Sequence, residues 1–504
     1  MVFHSYHFIF GFLPLVYVGY LAAHRLGGWT CAFRFLAVAS LAFYGFFSPK
    51  LTLVLAASLV GNYLLGDLIE RSRSQPKRAW HLLLCAIALN ILALGYFKYS
   101  NFLIDIANAI IGSETAHIRL LVPVGVSFFT FVQIGYLVEV YNGQVSKPGF
   151  ERYAIFAAFF PCVTAGPLVL QREMLEQMHN RTDRPFSGDR IAVGLTMFTI
   201  GLFKKVVLAD SIAPFADQVF NGVAGGAGLS QAIAWLGALA YALQLYFDFS
   251  GYSDMALGLG TIFGLKLPLN FDSPFKATSI SDFWRRWHIT MTRFFTTYVF
   301  SPLAMRGMRR AVGQRKGPLE KFLLTGGIPA VITFMVAGIW HGAGWTFVVY
   351  GLLHGFAIAI NIAWRELRRP ELPPALGWVL TMSVVVSGLV IFRAANLEAA
   401  GLILGHMWLP GFAASAASEI IAIDKRMALS MIILLSSIVL LMPNSQQIMH
   451  RNWISSDAMP DTIQAAAGLL RWQPTMSVAV ALGTTLSIAV ASIGAATTFV
   501  YYQF

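Results

Sequence analysis

Charge is what this chain lacks most. Only 12% of its 504 residues are Asp, Glu, Lys or Arg, against 57% hydrophobic ones, whereas soluble domains are about one quarter charged. With a mean hydropathy of +0.65, this composition excludes a disordered protein, a nucleic-acid-binding protein and an ordinary cytosolic enzyme. Cysteine is scarce too. Cys31, Cys85 and Cys162 lie far apart in apolar stretches, with no CxxC spacing. An odd count cannot be wholly paired within one chain, so they are read as packing residues. No HExxH or GxxxxGK[ST] sequence is present, which removes metalloprotease and P-loop ATPase chemistry and leaves no metal site to assign. Residues Met1–Gly19 have no basic region ahead of their apolar run, so a retained first span is expected rather than a cleaved signal peptide. There is no fixed-period repeat and no low-complexity linker, which leaves 1–504 as one integral-membrane domain.

What the chain has is long apolar runs. A hydrocarbon core of about 30 Å is crossed by roughly 20 apolar residues in a helix. Candidate spans fall at 6–23, 31–47, 51–68, 79–98, 119–138, 191–208, 229–247, 322–340, 344–363, 376–393, 428–442 and 476–500. The expected fold class is an all-α polytopic membrane protein. Much of the net charge of +12 sits in short loops: Arg71 to Arg78, Arg306 to Lys321 and Arg365 to Arg369. Basic short loops mark the cytoplasmic side. A polar stretch, Asn444 to Trp472, reads as an extramembrane loop.

Two regions resist a simple span count. Residues 154–170 are apolar but interrupted by Pro161 and Gly166-Pro167. Proline removes an amide donor and clashes with the preceding turn, so a broken or re-entrant element is expected. Residues 246–300 interleave apolar and polar side chains. Irregular backbone at membrane depth survives only where protein or a wet cavity satisfies it, so both regions point to an interior cavity.

Ionisable groups within membrane spans are expensive and are functional candidates by default. The first cluster runs Tyr246 to Asp254 and holds Asp248, Ser250, Tyr252 and Asp254. In the second, Ser279 to Arg293, Ser279 and Asp282 resemble a capping box. Beyond them Trp284, Trp287, His288 and Met291 would share one face of an amphipathic interfacial helix. Arg286, Thr290, Arg293 and Thr297 would line another. The third cluster is Trp340-His341-Gly-Ala-Gly-Trp345, at the junction of two apolar runs, with His354 placed 13 residues later and expected to project elsewhere. A histidine titrates near neutrality, so its neutral form suits a general base.

These motifs resemble the membrane-bound O-acyltransferase family, and most closely its bacterial branch that O-acetylates alginate and related exopolysaccharides. The resembling segments are Pro123 to Phe128 with Tyr136 to Glu139; Phe159 to Pro161 with Ala165 to Pro167; Gly201 to Asp210; Tyr246 to Gly260; Phe283 to His288; Trp340 to Phe347; and Phe392 to Ala394. They stand in family order over about residues 120–395, flanked by N-terminal spans in 1–100 and a divergent C-terminal part, 396–504. The resemblance implies a ring of about 11–13 transmembrane helices around a thinned centre, with re-entrant or interfacial helices and a tunnel. It assigns His341 to the hallmark catalytic histidine and His288 to the second functional histidine. Asp248, Ser250, Tyr252, Asp254, Trp340, Trp345, Arg285, Arg286 and Arg293 become substrate or tunnel candidates.

The activity this implies is acetyl transfer from a cytoplasmic thioester, acetyl-CoA, with no tightly bound cofactor. The chain would lie in the bacterial inner membrane among lipid. Its partner would be a periplasmic SGNH-type acetyltransferase, with a polysaccharide as final acceptor. Two alternatives stand beside it: a D-alanyl or other acyl transferase using an acyl carrier protein, and a non-catalytic transporter or export channel.

Overall fold

In lipid a chain must close its amide hydrogen bonds within each segment, and the apolar runs do so as helices. The computed structural model describes residues 1–179, 181, 183–412, 421–449, 472–494 and 499–500. A β bridge pairs Phe271 with Trp287. In chain order the helices are α1 (His7–Gly45), α2 (Pro49–Arg71), α3 (Pro76–Ile111), α4 (Val126–Tyr141), α5 (Phe150–Ala158), α6 (Gln171–Met178), α7 (Gly188–Ala224), α8 (Gln231–Ile262), α9 (Ile280–Arg286), α10 (Ile289–Phe295), α11 (Ser301–Gly313), α12 (Pro318–His341), α13 (Trp345–Glu366), α14 (Pro374–Arg393), α15 (Leu397–Trp408), α16 (Lys425–Leu441), α17 (Ser445–Met449) and α18 (Met476–Ala491). Among the described residues, eight are long and apolar enough to cross a membrane: α1, α2, α3, α7, α8, α12, α13 and α14. The protein is an all-α polytopic membrane protein, as its composition requires.

Helix α1 is two antiparallel helices. Gly27 (φ −152°, ψ 23°) and Gly28 (φ 65°, ψ −159°) leave the helical region, and only glycine adopts the second conformation without strain. A Cβ placed on Gly19 would lie 2.3 Å from the Phe35 ring. Sixteen residues along a straight helix would separate them by about 24 Å. The expected spans 6–23 and 31–47 are therefore both present, folded against each other. The expected span 119–138 begins late: its helix starts at Val126, because Gly125 (φ 71°) presses on the Val163 carbonyl, which a Cβ would approach to 2.3 Å. Within the last expected span, 476–500, the α-helix runs from Met476 to Ala491, and residues 495–498 lie outside the described set.

The described residues divide into two compact units. The first comprises Met1–Phe203, Tyr252–Leu269 and Ser445–Gln503. Its core is phenylalanine-rich: Phe3, Phe8, Phe43 and Phe160 are buried and in mutual ring contact. Here the 154–170 region is broken as expected: α5 stops at Ala158, and the turns through Gly166 are almost wholly buried. Their polar groups are met inside the protein, Phe160 N–H by Ser40 Oγ at 3.2 Å and Thr164 Oγ1 by the Tyr252 hydroxyl at 2.7 Å. The Asn444 to Trp472 stretch is described only at its two ends. Ser445 and Gln446 are buried and both bind Asp254, Ser445 Oγ donating at 2.5 Å and Gln446 Nε2 at 3.1 Å; residues 450–471 lie outside the described set. Cys85 is exposed and so is not a packing residue, while Cys31 and Cys162 are half-buried.

The second unit comprises Lys204–Gly251 and Asn270–Asn444. Its central device is the hairpin of α12 and α13, which turn on Gly342–Gly344. The two helices touch at glycines: a Cβ on Gly338 would meet the Phe347 carbonyl at 2.3 Å, and one on Gly351 the Phe334 carbonyl at 2.4 Å. Small residues let helix backbones approach in a membrane, where dispersion replaces the hydrophobic effect as the packing force. Helix α14 packs on α13. Large apolar side chains such as Phe356, Ile360 and Val379 remain exposed, as a surface facing lipid requires.

Candidate active site

The site lies within the second unit and starts from two helix ends. His341 is the last residue of α12, and the chain leaves the helix at Gly342 in an extended conformation. His288 stands between α9 and α10 in the left-handed region (φ 44°, ψ 50°). A non-glycine residue held there costs about 1–3 kcal/mol and persists where the surroundings over-determine it. The expected continuous amphipathic helix over this segment is therefore not formed. Ser279 does cap α9, accepting from Asp282 N–H at 3.2 Å. The helix ends at Arg286, however, and Trp287 pairs with Phe271 across the bridge. Trp284, Trp287, His288 and Met291 thus belong to two short helices and their junction, not to one face, and the Arg286–Thr297 stripe is broken likewise.

The break turns His288 inward: it is 0% exposed. Its ring centroid lies 6.4 Å from that of His341, 6.0 Å from Trp340 and 4.8 Å from Phe249. His341 is in turn ringed by Trp340 at 4.8 Å, Phe392 at 5.2 Å and Tyr350 at 6.1 Å. Burial pushes the His288 imidazole down to about 3, so the ring is neutral at ordinary pH. Asn270 faces it, Oδ1 lying 3.1 Å from Nδ1.

His354 is set apart from His341, as expected. The turn at Gly342–Gly344 reverses the chain, so its spacing from His341 does not follow a single helix. Its ring is 4.6 Å from Tyr350, which separates it from His341, and Trp284 donates its indole N–H to Nδ1 at 3.3 Å.

The Tyr246–Asp254 cluster is helical throughout but is divided between the units. Asp248 is buried in the second unit and ion-paired with Lys205 Nζ at 2.6 Å; the same ammonium lies 2.8 Å from Asp210. Lys205 reaches both because α7 widens into a π-turn over Lys204–Ala209, a distortion that re-aims side chains. Ser250 is buried, and its hydroxyl has no hydrogen-bond partner among the described residues. Tyr252 and Asp254 belong to the first unit, with Thr164 and with Ser445 and Gln446 respectively.

Of the remaining candidates, Trp340 joins the histidines, whereas Trp345 is 55% exposed at the start of α13. Arg285 is exposed and binds Asp282 at 3.2 Å. Arg286 binds Asp282 at 3.0 Å and reaches Asp272 at 3.7 Å. Arg293 is half-buried on α10. Burial raises the Asp272 carboxyl, with Arg286 pulling against it. The sequence reading named no role for Asn270, Tyr350, Lys205 or Phe392. Asn270 did carry a signal, a lone amide in the apolar run Leu267 to Phe271.

The fold is that of a polytopic membrane protein, and within it two buried histidines lie together among aromatic rings. A model of the membrane-bound O-acyltransferase family matches residues 33–401. A peptidoglycan O-acetyltransferase of Helicobacter pylori is 37% identical over 437 residues, covering 81% of this chain and 80% of its own length. The probable alginate O-acetylase of Azotobacter vinelandii is 38% identical over 408 residues, covering 79% and 76%. A teichoic acid D-alanyltransferase of Streptococcus thermophilus is 28% identical over 340 residues, covering 64% and 78%. The chain belongs to the membrane-bound O-acyltransferase family. It is an O-acyltransferase, and the transporter reading is set aside.

Proposed function

We propose that this enzyme is a bacterial inner-membrane O-acetyltransferase. It takes acetyl from cytoplasmic acetyl-CoA and passes it outward for O-acetylation of an exopolysaccharide such as alginate, through a periplasmic SGNH-type acetyltransferase. The observation that carries the reading is the buried pair His288–His341, with ring centroids 6.4 Å apart. His341 takes the proton of the acceptor hydroxyl, and the oxygen attacks the thioester carbonyl. The carbon–sulfur bond then breaks, and the proton passes to the CoA thiolate as the ester forms. His288 orients the hydroxyl or stabilises the developing charge. No cofactor is held between turnovers.

Identity to the relatives named for O-acetylation, 37–38%, exceeds the 28% to the D-alanyltransferase, and this favours acetyl over D-alanyl transfer. The test is transfer of radiolabel from acetyl-CoA in proteoliposomes, with and without a candidate periplasmic acceptor protein. His341→Ala should abolish transfer while the protein stays folded. Full activity in that variant would overturn the role of His341, and transfer only from a carrier-protein thioester would overturn the donor.

A further inference from the structure

The environment of His288 contains more information than its distance from His341. Segment 270–272 is tied to the α9–α10 junction by two backbone bonds, Asp272 N–H to the Arg286 carbonyl at 2.9 Å and Ile289 N–H to the Asn270 carbonyl at 3.0 Å. The Asn270 carboxamide is therefore set at a fixed place against the imidazole. Its Oδ1 has three contacts: Thr290 Oγ1 at 2.8 Å, His288 Nδ1 at 3.1 Å and the Thr290 backbone N–H at 3.4 Å. A backbone N–H can only donate, so the atom it meets is the amide oxygen and not the NH₂ group. That oxygen has no proton to give, so His288 Nδ1 must carry the hydrogen between them.

We propose that Asn270 is a positioning residue that fixes His288 as its Nδ1–H tautomer, leaving Nε2 as the basic nitrogen. This rests on the reading above, in which His288 takes part in the transfer, and it decides between the two roles left open there. A neutral imidazole has one donor and one acceptor nitrogen. With Nδ1–H committed to Asn270, His288 offers the reaction only a lone pair. It accepts a hydrogen bond from the acceptor hydroxyl and orients it toward the thioester, and in its neutral form it cannot donate to the oxyanion. The other charged or titratable groups on elements packed around it include His341 on α12, Asp248 on α8 with Lys205 of α7, Asp272 beside Asn270, Asp282, Arg285 and Arg286 on α9, and Arg293 on α10. The three carboxylates are ion-paired, so the amide sets the proton's position.

The tautomer is read directly by ¹⁵N NMR of the protein labelled at histidine ring nitrogens, with His288 identified by its loss in His288→Gln. The expected result is a His288 protonated at Nδ1 in the native protein and a mixture of tautomers in Asn270→Ala. A native His288 protonated at Nε2 would overturn the proposal. In the acetyl-CoA assay, Asn270→Ala should lower kcat by about 10- to 100-fold, by analogy with the loss when the outer partner of a metal-bound histidine is removed, with the KM for acetyl-CoA unchanged. Asn270→Asp should restore kcat and move the acidic limb of the pH profile upward, because a carboxylate favours the imidazolium. Unchanged kcat in Asn270→Ala would also overturn it. If Asn270→Ala does not fold, Thr290→Val tests the same arrangement, since losing the hydroxyl releases the amide to rotate and should give a smaller fall in kcat. Native protein that transfers no acetyl would defeat the functional reading, while the NMR result still decides the role of Asn270.

Discussion

Trp284 donates its indole N–H to Nδ1 of His354 at 3.3 Å, and the opposite nitrogen of that imidazole rests against Gly388, where a Cβ would lie only 2.6 Å away. His354 is thus held between α9 and α14, and its ring packs on Tyr350, the neighbour of His341. A chain of ring contacts links a glycine on α14 to the catalytic candidate.

Gly388→Ala should therefore disturb the site without touching either candidate histidine. The added methyl meets a buried ring clamped by Trp284, and overpacking of this kind costs about 1–3 kcal/mol. The expected outcome is a lower thermal midpoint in detergent and a reduced kcat. Unchanged values of both would show that the imidazole has room to move.

Lys205 is the common partner of two carboxylates, one of them deeply buried. Lys205→Met leaves Asp248, whose side chain is 1% exposed, without its counter-ion. Removing one member of a buried pair destabilises by about 3–5 kcal/mol. Asp210→Asn should cost clearly less, because Asp210 is 21% exposed and the Lys205–Asp248 pair survives. Denaturation of the two variants in detergent checks the order, and equal losses would contradict it.

Acid stability should report on His288. Its folded pKa, about 3, lies below the unfolded value of 6.5, so the unfolded chain binds the extra proton. The contribution is fully present above pH 6.5 and declines as pH falls through the window down to about 3, at up to about 1.4 kcal/mol per pH unit. His288→Gln should flatten the acid side of the curve of thermal midpoint against pH. The same acid slope in both proteins would place the titrating group elsewhere.

Much of this molecule is written locally. Apolar runs near 20 residues become helices wherever they occur, because lipid offers the amides no other partner, and Pro161 with Gly166-Pro167 breaks 154–170 as proline must. Gly27-Gly28 turns α1 back on itself. The histidine at the Trp340–Gly342 junction stands out as a polar ring between two apolar runs, and the family resemblance is what gave it a role.

Other features were not legible, because they depend on contacts between distant segments. The periodicity of Ser279 to Arg293 suggests one helix, and nothing local forbids it. The backbone bonds from segment 270–272 stop α9 at Arg286 and force His288 into a left-handed conformation. The contact of His354 with Trp284 and Tyr350 is likewise a matter of packing between segments and left no mark on the spacing.

The sequence by itself determined the solvent and most of the helices, since each follows from what a residue costs in lipid or does to its own stretch of backbone, and it marked the two histidines through the family resemblance. Only the tertiary structure decided that His288 and His341 share one buried site and that Lys205 neutralises Asp248. It also decided that Asn270 meets His288. These depend on which surfaces of non-adjacent segments can close on one another, and packing settles that only once the whole chain is in place.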